Sequence, residues 1–181
     1  MSGLRHGDIP FLSVHTYSHL SLAGRCRPLT GSHNPGSVAN TAALRAIYIP
    51  FSLPWPFHVK RVWWHNGATV GNATDVGIYG PQGVRLWSSG TTTSAGASLR
   101  QFITPANPLV LSTGWYYFGF VSAGTTTAIY GSAVTQIQAQ SAGCRYETLA
   151  SASLPALATL GQWAAATNVP IIGITSLDSG F

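Results

Sequence analysis

Asp75-Val-Gly-Ile-Tyr79, Gly80-Pro-Gln-Gly83 and Val84-Arg-Leu-Trp-Ser88 follow one another without a gap. Proline presets φ at the first turn position and glycine reaches positive φ without a steric penalty, so the middle block reads as a tight turn between two strands. The flanks are short and rich in β-branched and aromatic residues, as half-buried strands are. This hairpin sets the scale for the surrounding chain. Upstream, Leu44-Arg-Ala-Ile-Tyr-Ile-Pro50 opens a strand block, and Pro50, Pro54 and Pro56 break it into a bend. Val59-Lys-Arg-Val-Trp-Trp-His65 follows and is closed by Asn66-Gly67, a strong turn signal. Downstream, Ser98-Leu-Arg-Gln-Phe-Ile-Thr104 alternates and stops at Pro105, and Gly114 introduces Trp115-Tyr-Tyr-Phe-Gly-Phe-Val121. Thr127-Ala-Ile-Tyr130 and Val169-Pro-Ile-Ile-Gly-Ile-Thr175 complete the set. In the looser region 131–166, Ser153-Leu-Pro-Ala-Leu is expected to cap one short helix ending at Gly161.

No strand–helix–strand alternation occurs, so a parallel α/β sheet is not expected. About eight short strands joined by turns predict an all-β fold, an antiparallel two-sheet β-sandwich of jelly-roll type. That domain spans residues 44–181. Residues 1–43 show neither helical nor strand periodicity and are dominated by Gly, Ser, His, Asn and Pro. They are expected to form an extended, loop-rich N-terminal arm, ordered only where it packs on something.

Charge is nearly missing. Asp, Glu, Lys and Arg make up 7% of the 181 residues, against about 25% in an ordinary soluble domain. No apolar run approaches the ~20 residues of a membrane helix, so lipid does not account for the deficit. A surface so poor in charge is sticky in isolation, and coverage by neighbouring protein is the favoured explanation. A secreted domain kept soluble by Ser, Thr, Asn and Gln is the alternative. The polar opening Met1-Ser-Gly-Leu-Arg-His-Gly-Asp8 has no apolar core region after it, which disfavours export by a signal peptide.

The net charge is +5, and its placement is uneven. Arg5, Arg25, Arg27, Arg45, Lys60 and Arg61 face a single acid, Asp8, within residues 1–65, which also hold every histidine. Beyond them Arg85, Arg100 and Arg145 balance Asp75, Glu147 and Asp178. The excess marks Arg5, Arg25, Arg27 and Arg45 as candidate contacts to an acidic partner.

Hydrolase chemistry lacks its residues. Four scattered acids make a glycosidase pair a tertiary coincidence, and Asp75 is expected instead to cap a turn or pair with Arg85. No Gly-x-Ser-x-Gly elbow and no His-Glu-x-x-His motif occur. His15 and His19 are four apart and His58 and His65 flank a strand, yet tetrahedral zinc needs about four converging ligands. Loop histidines are the favoured reading. Calcium would need clustered carboxylates. No enzyme activity, cofactor or metal is expected. Cys26 and Cys144 cannot build a disulfide framework, and a single bridge and two buried thiols both stay open. Nine positive charges without a lysine cluster give a thin footprint for nucleic acid, and no membrane partner is expected.

The six tryptophans pose the sharpest choice. Trp63, Trp64, Trp87 and Trp115 are the candidate interface or glycan-stacking rings. Core and interface are favoured over sugar binding, because aromatic side chains are enriched at both. Trp63 and Trp64 are adjacent in a strand and so point to opposite faces, one to the core and one outward or into an interface.

One cadence links the middle of the chain: Ile49-Pro-Phe-Ser-Leu-Pro54, Val62-Trp-Trp64, Asp75-Val-Gly-Ile-Tyr79, Gly83 with Leu86 and Ser89-Gly90, and Leu111-Ser-Thr-Gly-Trp-Tyr-Tyr117. It resembles a family of small jelly-roll structural proteins of tailed bacteriophages, over roughly residues 45–131. Residues 1–43 and 132–166 match no pattern of that family. The resemblance implies a non-enzymatic virion part. A capsid decoration (cement) protein on the particle exterior is placed ahead of a tail or fibre component, and exterior ahead of lumen. It implies a symmetric homo-oligomer, with a trimer among the options, bound to the major capsid protein or other virion proteins. No catalytic motif carries over. A tail-associated carbohydrate-binding module is the alternative.

Overall fold

The computed structural model describes residues 12–14, 36–39, 42–125, 128–163 and 168–176. Fourteen strands and one helix are assigned among them: β1 Leu12–Val14, β2 Gly36–Ala39, β3 Arg45–Leu53, β4 Phe57–Val59, β5 Arg61–His65, β6 Thr74–Tyr79, β7 Arg85–Ser88, β8 Arg100–Ile103, β9 Leu109–Leu111, β10 Gly114–Ser122, β11 Ala128–Ala133, α1 Gln136–Ser141, β12 Arg145–Thr148, β13 Asn168–Pro170 and β14 Ile172–Thr175. The fold is all-β. A five-stranded sheet runs β12-β3-β10-β6-β7, a four-stranded one β1-β14-β5-β8, and two smaller ones β13-β11-β2 and β4-β9. Every strand pairing is antiparallel.

The two larger sheets share one core. Ile47, Ile49 and Phe51 of β3, Val76 and Ile78 of β6, and Phe118 and Phe120 of β10 join Val62 and Trp64 of β5 and Ile172 and Ile174 of β14 in a single buried cluster. These residues recur at every second position, as a pleated strand with one core-facing side requires. Burying each large side chain contributes about 1.5–3 kcal/mol.

The hairpin at residues 75–88 forms as its turn chemistry predicts. Gly83 has φ of 81° and donates to the Gly80 carbonyl at 3.0 Å, and Gly80 donates to the Val84 carbonyl at 2.8 Å. β6 and β7 then pair with a register shift between Ile78 and Tyr79 that leaves Leu86 as the extra residue.

Four expectations change. Pro50 does not break the strand but lies inside β3 opposite Tyr117. On its other side β12 ends at the Arg145–Tyr48 pair, so no ladder there needs the missing N–H. The helix lies at Gln136–Ser141 rather than after Ser153, with Thr135 and Gln138 forming a capping box. Fourteen strands lie among the described residues where about eight are expected, while Asn66-Gly67 closes β5 as expected. Finally, residues expected to lack strands supply β1 and β2, which pair with β14 and β11. Most of the expected arm, with Arg5, Arg25, Arg27 and Cys26, lies outside the described residues.

Candidate functional site

The acids come first, because they decide what chemistry the surface retains. Asp75 is completely buried at the start of β6, on the side of the five-stranded sheet facing away from the main core. Its Oδ1 accepts from the hydroxyls of Ser88 (2.7 Å) and Ser89 (3.1 Å), and its Oδ2 accepts from the Leu154 backbone N–H (2.8 Å). Arg85 donates to the carbonyl of the same Leu154. Asp75, expected to cap a turn or pair with Arg85, instead meets Arg85 on the two ends of one backbone residue, Leu154. Glu147 accepts from the Tyr48 hydroxyl and, at 3.1 Å, from the Thr159 backbone N–H. Tyr79 donates to the Pro155 carbonyl at 2.8 Å.

Together these groups lash residues 149–160 across the outer face of the sheet. Leu154 and Ala158 bury there with Ala46, Tyr48, Tyr79 and Val121 in a second cluster. Room comes from two facing glycines in register, Gly77 and Gly119. A Cβ on Gly77 would lie 2.9 Å from Leu154 Cδ1 and 3.0 Å from the Trp87 carbonyl oxygen. The lashing explains why all six residues of β6 are buried. Its demand on the backbone also keeps residues 153–161 from becoming a helix.

Asp75 of β6 pairs with Val121 of β10, and Glu147 of β12 pairs with Ala46 of β3, so β10 and β3 lie between the two acids. Three strand spacings put their backbones roughly 14 Å apart, and both carboxyls accept bonds from their own chain. Asp8 and Asp178 lie outside the described residues. Among the described residues no three His, Cys, Asp or Glu side chains cluster. His65 packs against Tyr130 with ring centroids 4.4 Å apart and planes tilted by 56°, and its Nδ1 lies 2.9 Å from the Asn66 carbonyl oxygen. His58 lines a small hollow of about 230 Å³ with Lys60, Thr104 and Asn107. His15 and His19 fall outside the described residues.

Among the described residues, burial displaces three groups from their ordinary range. Burial, reinforced by the bond to Glu147, raises the Tyr48 phenol far above its ordinary range. Burial also raises Tyr79. Cys144, a free thiol without solvent access, is pushed up by burial to about 12.

The candidate aromatic residues separate sharply. Trp64 is 1% exposed and belongs to the core. Trp63 does point to the opposite face, yet it is only 7% exposed, so neither ring of the pair stands outward. Its register partner is Gly173, where a Cβ would meet the indole at 2.5 Å. The ring lies flat over that glycine, and the Arg100 guanidinium sits 5.4 Å from its centroid. Trp87 packs half-buried against the main core. Trp115 is 53% exposed. Trp163, outside the candidate set, is 50% exposed, with the Arg145 guanidinium carbon 3.4 Å from the ring centroid. Arg45, the one described member of the basic candidates, is half-buried beside Tyr146 at 5.4 Å from its ring centroid.

Large apolar side chains also remain at the surface. Among the described residues, eight large hydrophobic side chains are exposed: Val84, Leu86, Leu99, Val110, Trp115, Ile137, Leu157 and Trp163. Val84, Leu86 and Val110 line one groove of about 460 Å³ between the β7 edge and β9, with Pro56, Pro81, Gln82 and Tyr116 and no charged residue. Leu157 pairs with Val84 beside it. The sequence did carry a signal for this groove. Leu86 and Trp87 are adjacent large apolar residues, and a regular strand cannot bury both on one side. No protein-family model matches the chain, and no curated protein matches it.

Proposed function

We propose that this chain is a non-enzymatic structural component of a phage particle, a jelly-roll sandwich that decorates the capsid exterior and associates with copies of itself. The observation that carries the reading is the surface: eight exposed large apolar side chains and an uncharged groove, on a body whose described acids both bind their own backbone. A contiguous apolar patch of this kind marks a protein contact more often than it faces water. Residues 1–43 would act as the attachment arm, with Arg5, Arg25 and Arg27 meeting acidic side chains of the shell.

Immunolabelling of intact particles tests the location, and label over the shell is the expected result. Particles without label on shell or tail would refute the assignment. Deleting residues 1–43 would also remove β1 and β2. The arm is therefore better tested by the triple replacement of Arg5, Arg25 and Arg27 with Glu, which should release the protein from particles without unfolding it.

Carbohydrate binding is the second reading. It is favoured by the half-exposed rings of Trp115 and Trp163, the latter backed on one side by Arg145. Saturable glycan binding lost in Trp115→Ala or Trp163→Ala would establish it. Trp63 and Trp64 are unsuitable for this purpose, because both are buried.

A further inference from the structure

The two larger sheets share a core but divide the charge. Both described acids, Asp75 and Glu147, belong to β6 and β12 of the five-stranded sheet. The four-stranded sheet contains Arg61 in β5 and Arg100 in β8 and, among the described residues, no acid. Lys60, immediately before β5, lines the hollow that it shares with His58 and adds a third positive charge at the Arg61 end.

Alternation decides which side of the sheet these residues occupy. Val62 and Trp64 of β5 point into the main core, so Arg61, Trp63 and His65 point away from it. β8 pairs with β5 through Trp63–Phe102 and His65–Arg100, which puts Phe102 and Arg100 on the same outward side. The result is a stripe in which guanidiniums and rings alternate. Phe102 carries Arg61 over its ring at 5.8 Å and Arg100 at 6.0 Å, and Arg100 also sits 5.4 Å from the Trp63 centroid. The two guanidinium carbons therefore lie no more than about 12 Å apart.

Stacking determines what such a stripe can hold. A guanidinium laid on a ring keeps its in-plane N–H fork for hydrogen bonds, and that fork matches the two oxygens of a carboxylate. The rings themselves are taken. Trp63 is 7% exposed and Phe102 is half-buried under two guanidiniums, so neither offers a free face to a nucleobase or a sugar. Three positive charges would also neutralise too few phosphates to hold a nucleic-acid strand. Carboxylates on a protein segment meet the donors without needing the rings. In an extended segment alternate side chains face one way, about 7 Å apart, so Asp or Glu at such positions can reach both guanidiniums. The exposed rings of Trp115 and Trp163 attach to the five-stranded sheet, in β10 and beside Arg145 of β12, and take no part.

We infer that the outward side of the four-stranded sheet, through Arg61 and Arg100 around Phe102, docks an acidic segment of a partner protein. The contact belongs to the folded body rather than to the basic arm, and it holds whichever assembly the partner comes from.

Fluorescence anisotropy of a labelled peptide of alternating Glu and Gly, titrated with the full chain, tests the face. The titration is run in about 0.1 M salt, where charges more than about 10 Å apart are largely screened. Saturable binding is expected. Arg61→Gln combined with Arg100→Gln should raise the dissociation constant at least about tenfold. Gln136→Glu combined with Thr148→Glu lowers the net charge equally at exposed positions of α1 and β12. That pair should leave binding within about twofold of the unaltered chain. Equal weakening by both pairs would reduce the effect to net charge and overturn the site, as would an unaltered chain without saturable binding. Oligothymidylate bound more tightly than the peptide, and lost with Arg61→Gln and Arg100→Gln, would overturn the acidic segment in favour of nucleic acid. Circular dichroism confirms folding. If the glutamines are not tolerated, Arg61→Lys with Arg100→Lys keeps both charges but lacks the fork. Binding should then weaken several-fold, and undiminished binding would overturn the carboxylate contact.

Discussion

On one side of the five-stranded sheet, Phe51 and Phe118 stack with ring centroids 4.1 Å apart, and Tyr116 packs against Phe51 at 5.6 Å. On the other side the same strands carry Gly119 and Gly77, and the space is filled by a loop held through Asp75, Glu147, Arg85 and Tyr79. The inner face is closed by volume, and the outer face is closed by hydrogen bonds to a backbone. The contrast accounts for the charge economy of the chain. Its few described acids are not surface solubilisers but fasteners, and the outside is left to Ser, Thr, Gln and exposed apolar residues.

If this division is right, Phe118→Ala should be the most damaging change. Loss of a stacked ring in a closed core costs about 3–5 kcal/mol, read from the urea midpoint. A loss below about 1 kcal/mol would mean that the inner face collapses around the gap. Asp75→Ala comes next. It removes the acceptor for three donors and should cost about 3 kcal/mol, with a second signature that Phe118→Ala lacks: faster proteolytic cutting within residues 149–160. Unchanged cutting there would show that the loop does not depend on Asp75. Gly77→Ala should cost about 2 kcal/mol through overpacking, since the new methyl meets Leu154 and the Trp87 carbonyl. Restoration of stability by Leu154→Val in that background would place the strain in the second cluster; no restoration would move it elsewhere.

A last test separates the faces by pH. Cys144 belongs to the inner cluster and ionises at about 12 when folded, against an ordinary 9.0. A thiol whose folded value is raised stabilises the fold fully below pH 9 and loses that contribution as pH climbs through 12. Tyr48 and Tyr79, on the outer face, are raised above an ordinary 10.0 and act in the same direction at higher pH. Stability by denaturant titration should hold up to about pH 9 and then fall, and Cys144→Ala should flatten the first part of that fall. An identical slope in the variant would remove Cys144 from the account.

Much of this was legible in residue order. Turn residues at Gly80–Gly83 and alternation in β3 and β10 depend on neighbours a few positions away, and local sequence records them. The helix was legible too, in Thr135-Gln-Ile-Gln138, but Ser153 offered a competing cap with the wrong outcome. What decided between them lies far off in sequence: Asp75 grips Leu154 across 79 positions. Burial of Trp63 likewise depends on Gly173, a residue from the far end of the chain whose missing side chain leaves a flat bed for the indole. Pro50 was misread for the same reason, because only the stopping point of β12 shows that no partner needs its N–H.

The lashed loop also imposes an order on synthesis. Val121 completes the outer face, but the segment that covers it ends at Ala158, 37 residues later. At about 5–20 residues per second, a ribosome needs roughly 2–7 s to make that stretch. Until that segment is made and docked, Tyr48, Tyr79 and Val121 lack the cover they have in the finished fold, which makes the unfinished chain a target for chaperones and for premature contact with neighbouring chains.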